Sequence, residues 1–334
     1  MKNIAKILVS IALILAFAVS VISCGGKKSD KNNGDSLTDV TVNIATLNGT
    51  TGFGMAKLMS DSKNGDTALK YNFEVQSDAS VITGALANGD IDIAALPTNA
   101  AANLYAKTKG QIKILAVNTL GVLYVVTNKE NSDIDSLEDL NGKTVYCPAQ
   151  NPTFIFKGLC QKAGVNVTVD NTYVQPADLR TAVVAGKVDI AVLPEPMVTI
   201  AKSKNSDLSV AIDLTSEWDK HFEDGSLMQG CIVARTEFIN ENPKVVAKFL
   251  EEYKSSVNYV NESTESAAAL IAEMGIFENA NVAKAAIPKC NIKYIDGKAM
   301  ADALSVFFGA LHSINPAAVG GAVPDSGIYY NGNS

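Results

Sequence analysis

The chain has 334 residues, 47% of them hydrophobic, a formal charge of −7 and two arginines, Arg180 and Arg235. An acidic chain with so few guanidinium groups is excluded from the nucleic-acid-binding class, whose phosphate contacts need clustered cations. Its two histidines, His221 and His312, lie in separate segments, and it has no Gly-x-Ser-x-Gly and no Cys or His pair at zinc spacing. A non-enzyme without metal or cofactor is therefore expected.

Lys2 and Lys6 precede an apolar run, Ile7–Ile22, which ends in Val21-Ile22-Ser23-Cys24. A positive start, a hydrophobic middle and a small residue before the cut predict a signal peptide over 1–23. The run is too short for a membrane span, and a polar tract follows it. Removing 1–23 lowers the formal charge to −9. Val-Ile-Ser-Cys resembles the bacterial lipobox, whose Cys becomes the lipidated first residue of the mature protein. Two or more acyl chains on Cys24, such as palmitate, would anchor it stably where one would be marginal; simple secretion is the alternative. Residues 24–36 carry no large apolar side chain after Cys24 and read as a flexible tether. About 295 residues remain, enough for two lobes. Cys147, Cys160, Cys231 and Cys290 are compatible with three disulfide pairings or with four buried thiols.

Strand Val40–Leu47 leads through Asn48–Gly54 into a helix ending near Ser60. Strand Tyr71–Val75, a helix capped by Asp78 and ending at Asn88, and strand Ile91–Leu96 follow. Strands Lys113–Val117 and Leu123–Thr127 are broken by Asn118–Gly121. Ser136-Leu137-Glu138-Asp139 is a capping-box pattern for a short helix that Gly142 ends. The plan then repeats: strand Thr144–Cys147, loop Pro148–Thr153, a helix to about Ala163, strand Val167–Tyr173 and helix Ala177–Ala185. A strand-like return spans Met228–Ala234. Asn242-Pro243 starts a helix with Val246, Phe249, Tyr253, Val257 and Val260 on one face. Met300, Leu304, Phe307, Phe308 and Leu311 form a second stripe, and both helices are expected to pack behind the first lobe.

One segment occurs twice. Ala87-Asn88-Gly89-Asp90-Ile91-Asp92-Ile93-Ala94-Ala95-Leu96-Pro97 returns as Val184-Ala185-Gly186-Lys187-Val188-Asp189-Ile190-Ala191-Val192-Leu193-Pro194. Each copy ends a helix at a Gly suited to the left-handed cap, runs as a short apolar strand and stops at Pro. A unit repeated at this spacing predicts two α/β lobes, each offering a loop at the carboxyl end of a strand, where open sheets place ligands. Asp92 and Asp189 could pair for acid–base work, but their repeated position favours a structural role.

In these segments the chain resembles the type II periplasmic solute-binding proteins of ABC importers. The nearest group includes nitrate, taurine, aliphatic-sulfonate and thiamine-pyrimidine binding proteins. The resemblance rests on the Cys24 lipobox, Gly89–Ala94, Ser136–Val145, Val188–Pro196 and the helix after Glu241-Asn242-Pro243. It implies an α/β clamshell with a mixed sheet in each lobe and ligand in the interlobe cleft. Lobe 1 would comprise 37–126 plus 228–334 and lobe 2 residues 127–227, with crossings near Tyr124–Thr127 and Leu227–Val233. The implied partners are a small-molecule ligand, ABC permease and ATPase subunits, and a membrane reached through the lipid anchor. The implied state is a monomer on the extracytoplasmic face of the cell membrane. An exported enzyme, a sensory or adhesion module, or the binding component of a TRAP-type carrier are alternatives on this fold. Glu195-Pro196 and Leu140–Val145 favour the ABC group.

The strand-end loops supply the candidate ligand residues. Asn48, Gly49, Thr50, Thr51 and Phe53 precede a helix whose free N–H groups can take an anionic or carbonyl group. Gln150, Asn151, Thr153 and Phe154 form the matching entrance in the second lobe, and Thr98, Asn99 and Thr119 offer side-chain hydrogen bonds. Phe53 and Phe154 are candidates for stacking on a planar ligand, with core packing as the alternative. Leu47–Gly54, Pro97–Asn103, Asn118–Val122, Pro148–Phe154 and Pro194–Thr199 contain no Lys or Arg and one acid, Glu195. This inventory favours a neutral or zwitterionic ligand with its amine at Glu195, the alternative being a structural Glu195 bonded to backbone.

Overall fold

Apolar residues alternate in register along neighbouring strands, and that alternation builds two sheets covered on both faces. The computed structural model describes Leu37 and residues 39–131, 133–222 and 225–332. The expected signal peptide, Cys24 and the tether lie outside the described residues. The first sheet takes β1 (Thr41–Leu47), β2 (Lys70–Gln76), β3 (Ile93–Pro97) and β4 (Ile112–Thr119). The second takes β5 (Leu123–Thr127), β6 (Thr144–Tyr146), β7 (Thr168–Asp170), β8 (Ile190–Pro194) and β9 (Ser209–Asp213). The chain then returns to the first with β10 (Gly230–Arg235) and β11 (Ile292–Ile295). The strand orders are β11-β4-β10-β3-β1-β2 and β7-β6-β8-β5-β9. In β3, Ala94 and Leu96 enter one core while Ile93 and Ala95 enter the other. Cys231 and Val233 against Ile232 and Ala234 do the same in β10.

Thirteen helices connect the strands among the described residues: α1 (Thr50–Phe53), α2 (Ala56–Asn64), α3 (Ala79–Asn88), α4 (Thr98–Lys107), α5 (Asn151–Ala163), α6 (Pro176–Val184), α7 (Met197–Lys204), α8 (Leu214–His221), α9 (Thr236–Glu241), α10 (Pro243–Glu262), α11 (Thr264–Glu273), α12 (Ala280–Ala286) and α13 (Gly297–Ile314). Asp78 caps α3 by accepting from Ser80 N. Asn242 precedes α10, with Pro243 as its first residue. The capping-box segment closes on itself, since Ser136 N and Oγ both donate to Asp139 Oδ2 over a 3-10 turn, Glu138–Leu140. All four described cysteines are buried thiols.

The two copies of the repeat occupy matching places. Each strand, β3 or β8, has a parallel neighbour on one side (β1 or β6) and an antiparallel one on the other (β10 or β5). Gly89 and Gly186 take φ of 87° and 67°, the left-handed region that ends each helical stretch. The aspartates fasten neighbouring strands. Asp92 Oδ2 accepts from Asn43 N at 2.9 Å and Nδ2 at 3.1 Å, and its Oδ1 lies 2.8 Å from Arg235 Nη2. Asp189 Oδ1 accepts from Asn128 Nδ2 at 2.6 Å, just beyond β5.

Two expectations are corrected. Leu123–Thr127 is not a crossing: it pairs in full with Pro194–Ile190 on one side and lies against β9 on the other, as a central strand of the second sheet. The chain crosses at Leu120–Val122, and it returns in the segment ending at Gln229, before β10 begins. α13 does not pack behind the first lobe alone, although α10 does, against α2 and β11. Its Phe307 meets Trp218 of α8 at 5.6 Å. A Cβ on Gly158 of α5 would stand 2.1 Å from Ile314 Cδ1, so the glycine is what admits the end of α13. An apolar stripe shows that a helix is covered, not by which lobe.

The two repeat aspartates predict unequal costs. Asp92→Ala strips a half-buried Arg235 and a strand N–H of their acceptor and is expected to destabilise the protein by about 2–4 kcal/mol. Asp189→Ala removes one exposed contact and is expected to cost about 0.5–1 kcal/mol. Urea unfolding of both variants measures the difference; equal losses would remove Asp92 from its structural role.

Candidate functional site

The site is organised around the two crossings. Gln229, which sequence reasoning misses, joins them: its N donates to Thr119 O at 3.0 Å and its Oε1 accepts from Val122 N at 2.7 Å. Its carbonyl accepts from Thr98 N at 3.2 Å, and Thr98 Oγ1 donates to Met228 O, so the start of α4 is bound to the return crossing. Asn291 holds the outward crossing, donating to Gly121 O at 2.6 Å. A lone amide before an apolar strand is the only sequence signal for Gln229.

Around α1 the structure brings together part of the predicted set. Gly49 has φ 81° and precedes α1, with its N donating to Ile276 O; Asn48 beside it is exposed. Thr51 O accepts from Asn118 Nδ2 at 2.9 Å, and Thr119 Oγ1 donates to Asn118 Oδ1. Thr50 Oγ1 donates to Glu195 O at 2.8 Å and sits 3.8 Å from Cys290 Sγ. This bond joins the first lobe directly to the loop after β8. Tyr124 OH donates to Lys289 O at 3.2 Å, and α12 packs against α7, so the lobes touch at several points.

The second-lobe entrance is a separate cluster. Gln150, exposed and at φ 66°, precedes α5. Thr153 Oγ1 donates to Pro148 O and accepts from Asn171 Nδ2, both at 2.7 Å. Among the described residues no hydrogen bond ties this cluster to the Thr50 group.

For two side chains the structure takes the alternative reading. Phe53 is fully buried and meets Phe277 edge-on at 6.1 Å, so it is core rather than a ligand platform; Phe154 is half-buried against the other core. Glu195 is 2% exposed and caps α7: Oε2 accepts from Thr199 N at 3.1 Å and Oε1 from Thr199 Oγ1 at 3.0 Å. Burial pushes its carboxyl above the ordinary range, against the opposing pull of the Thr199 bonds and Lys289. Burial also raises Cys290 to about 12, which keeps it an inert thiol, and raises Tyr124, with Asp213 and Glu195 adding to the effect. Among the described residues no group of His, Cys, Asp and Glu side chains is placed to hold a metal ion.

A family model described as NMT1/THI5 like matches residues 66–267. Comparison with curated proteins gives no significant match. An ABC transporter from Parabacteroides distasonis superposes with a TM-score of 0.74 at 24% identity, covering 87% of this chain and 98% of that one. The periplasmic aliphatic sulphonate binding protein SsuA from Escherichia coli gives 0.69 at 17% identity, covering 88% and 92%. The alkanesulfonate-binding protein SsuA from Xanthomonas axonopodis pv. citri, bound to MOPS, gives 0.64 at 12% identity, covering 85% and 94%. At these identities the likeness is one of fold, that of periplasmic binding proteins. The family match runs from before β2 into α11 and so takes in both crossings and the whole second sheet, which places the chain in the NMT1/THI5-like family.

Proposed function

We propose that this chain is the solute-binding lipoprotein of an ABC importer, capturing a small organic molecule outside the cell and delivering it to the permease. The observation that carries this reading is the hydrogen bond from Thr50 to Glu195 O, which makes contact between the lobes depend on two of the strand-end loops. A solute bound between lobes is held better when they are closed, and it shifts the population toward the state a permease can recognise. The five strand-end loops carry no Lys or Arg, which supports a neutral or zwitterionic solute; the nearby cation is Lys289, which acts on Glu195. Glu195, already capping α7, is not counted as the partner of an amine. No enzymatic activity is proposed. Attachment through Cys24 on the extracytoplasmic face supplies the membrane localisation, and no helix among the described residues is long and apolar enough to cross a membrane.

Cys24→Ser is expected to move the protein from the membrane fraction to the soluble fraction. Retention on membranes after a high-salt wash would rule out anchoring by acyl chains. A solute at ~100 times its Kd is expected to stabilise the fold by roughly 2.7 kcal/mol, seen as a raised Tm. Thr50→Val removes one interlobe bond of about 1 kcal/mol and is expected to raise Kd roughly fivefold. Calorimetry reads that change, and an unaltered Kd would separate closure from binding.

A further inference from the structure

Two buried side-chain amides lack partners, one at the start of a helix in each lobe. Asn99, the second residue of α4, is 8% exposed and Asn151, the first of α5, 7% exposed; Oδ1 of each is shut off from solvent and accepts no hydrogen bond. Their neighbours are fully engaged, Thr98 with Met228 O and Thr153 with Pro148 O and Asn171. Native proteins rarely leave a buried acceptor empty without a use for it. The other unpartnered atoms are hydroxyls, not amides: Thr127 within β5, Thr215 against Gly121 of the outward crossing and Tyr253 beneath Gly54. α4 follows the carboxyl end of β3 and α5 that of β6, the ends at which open sheets receive ligands.

Neither arginine is free to meet an anion: Arg235 is held by Asp92 and Glu237, and Arg180 lies against Met197 and Thr181. Resting on the solute-binding reading, we infer that Asn99 and Asn151 accept hydrogen bonds from donors on two sides of the solute. The solute is then an amide, amine or amino-substituted heterocycle, and not a sulfonate, although proteins of the same fold are named for sulfonates.

Matched probes test this on the purified full chain. Nicotinamide and ethanesulfonamide carry N–H donors; nicotinate and ethanesulfonate have the same skeletons without them. The donor member of each pair is expected to raise the Tm and to bind at least tenfold more tightly in calorimetry. Asn99→Leu and Asn151→Leu are expected to weaken donor-probe binding at least tenfold while leaving the ligand-free Tm unchanged or higher, because an empty acceptor has been removed. A lowered ligand-free Tm would show that the amides are structural and overturn the inference. Tighter binding of nicotinate or ethanesulfonate would overturn it too, while leaving the solute-binding reading intact. Silence from all four probes would count against both.

Discussion

Everything that lets this molecule work as two lobes passes through Gln229. One residue binds both crossings and the start of α4, by its N–H to Thr119, its side chain to Val122 and its carbonyl to Thr98. Close packing reinforces the junction. A Cβ on Gly121 would stand 2.2 Å from Thr215 Oγ1, and one on Gly230 would stand 2.6 Å from Asn118 Oδ1. Beside each crossing one position thus has no room for a side chain. The start of α4 and the outward crossing are both placed relative to this junction.

The lobes meet through two chemically different surfaces. Behind the crossings, one apolar cluster runs continuously from Val117 and Leu123 through Phe307 and Phe308 to Trp218 and Phe156, with α13 between the lobes. On the other side the lobes meet through two hydrogen bonds, Thr50 to Glu195 and Tyr124 to Lys289, and through α12 against α7. Separating the apolar cluster would expose a large hydrophobic area, at about 25 cal/mol per Å². Each cleft-side bond is worth only about 1 kcal/mol. The apolar side is therefore the harder of the two to separate.

How much of this is legible in the sequence follows from the range of each interaction. The repeat is local, because its Gly, Asp, strand and Pro act within a dozen residues, and it marks β3 and β8 as equivalent strands. The cap at Asp78 and the helix start at Pro243 are legible for the same reason. Leu123–Thr127 misleads because a continuous apolar run fits a central strand and a buried connector equally well, and only pairing with β8 and β9 decides. α13 misleads because its partner depends on Gly158, about 150 residues away. Residue type and loop position alone do not separate ligand contact from structure for Glu195 and Phe53, of which one caps α7 and the other lies in the core. Gln229 escapes notice because bonds to distant backbone leave no pattern in a single chain.

Coupling between solute binding and lobe contact is the claim on which the rest turns, and one distance measures it. Val81 and Val174 are 50% and 54% exposed, one on each lobe, and can carry nitroxides as Val81→Cys and Val174→Cys in a Cys24→Ser background. Double electron–electron resonance is predicted to show a distribution that narrows and shortens when a stabilising solute is added, and that broadens toward longer distances in Thr50→Val. A distribution unmoved by a solute that raises the Tm would contradict the account.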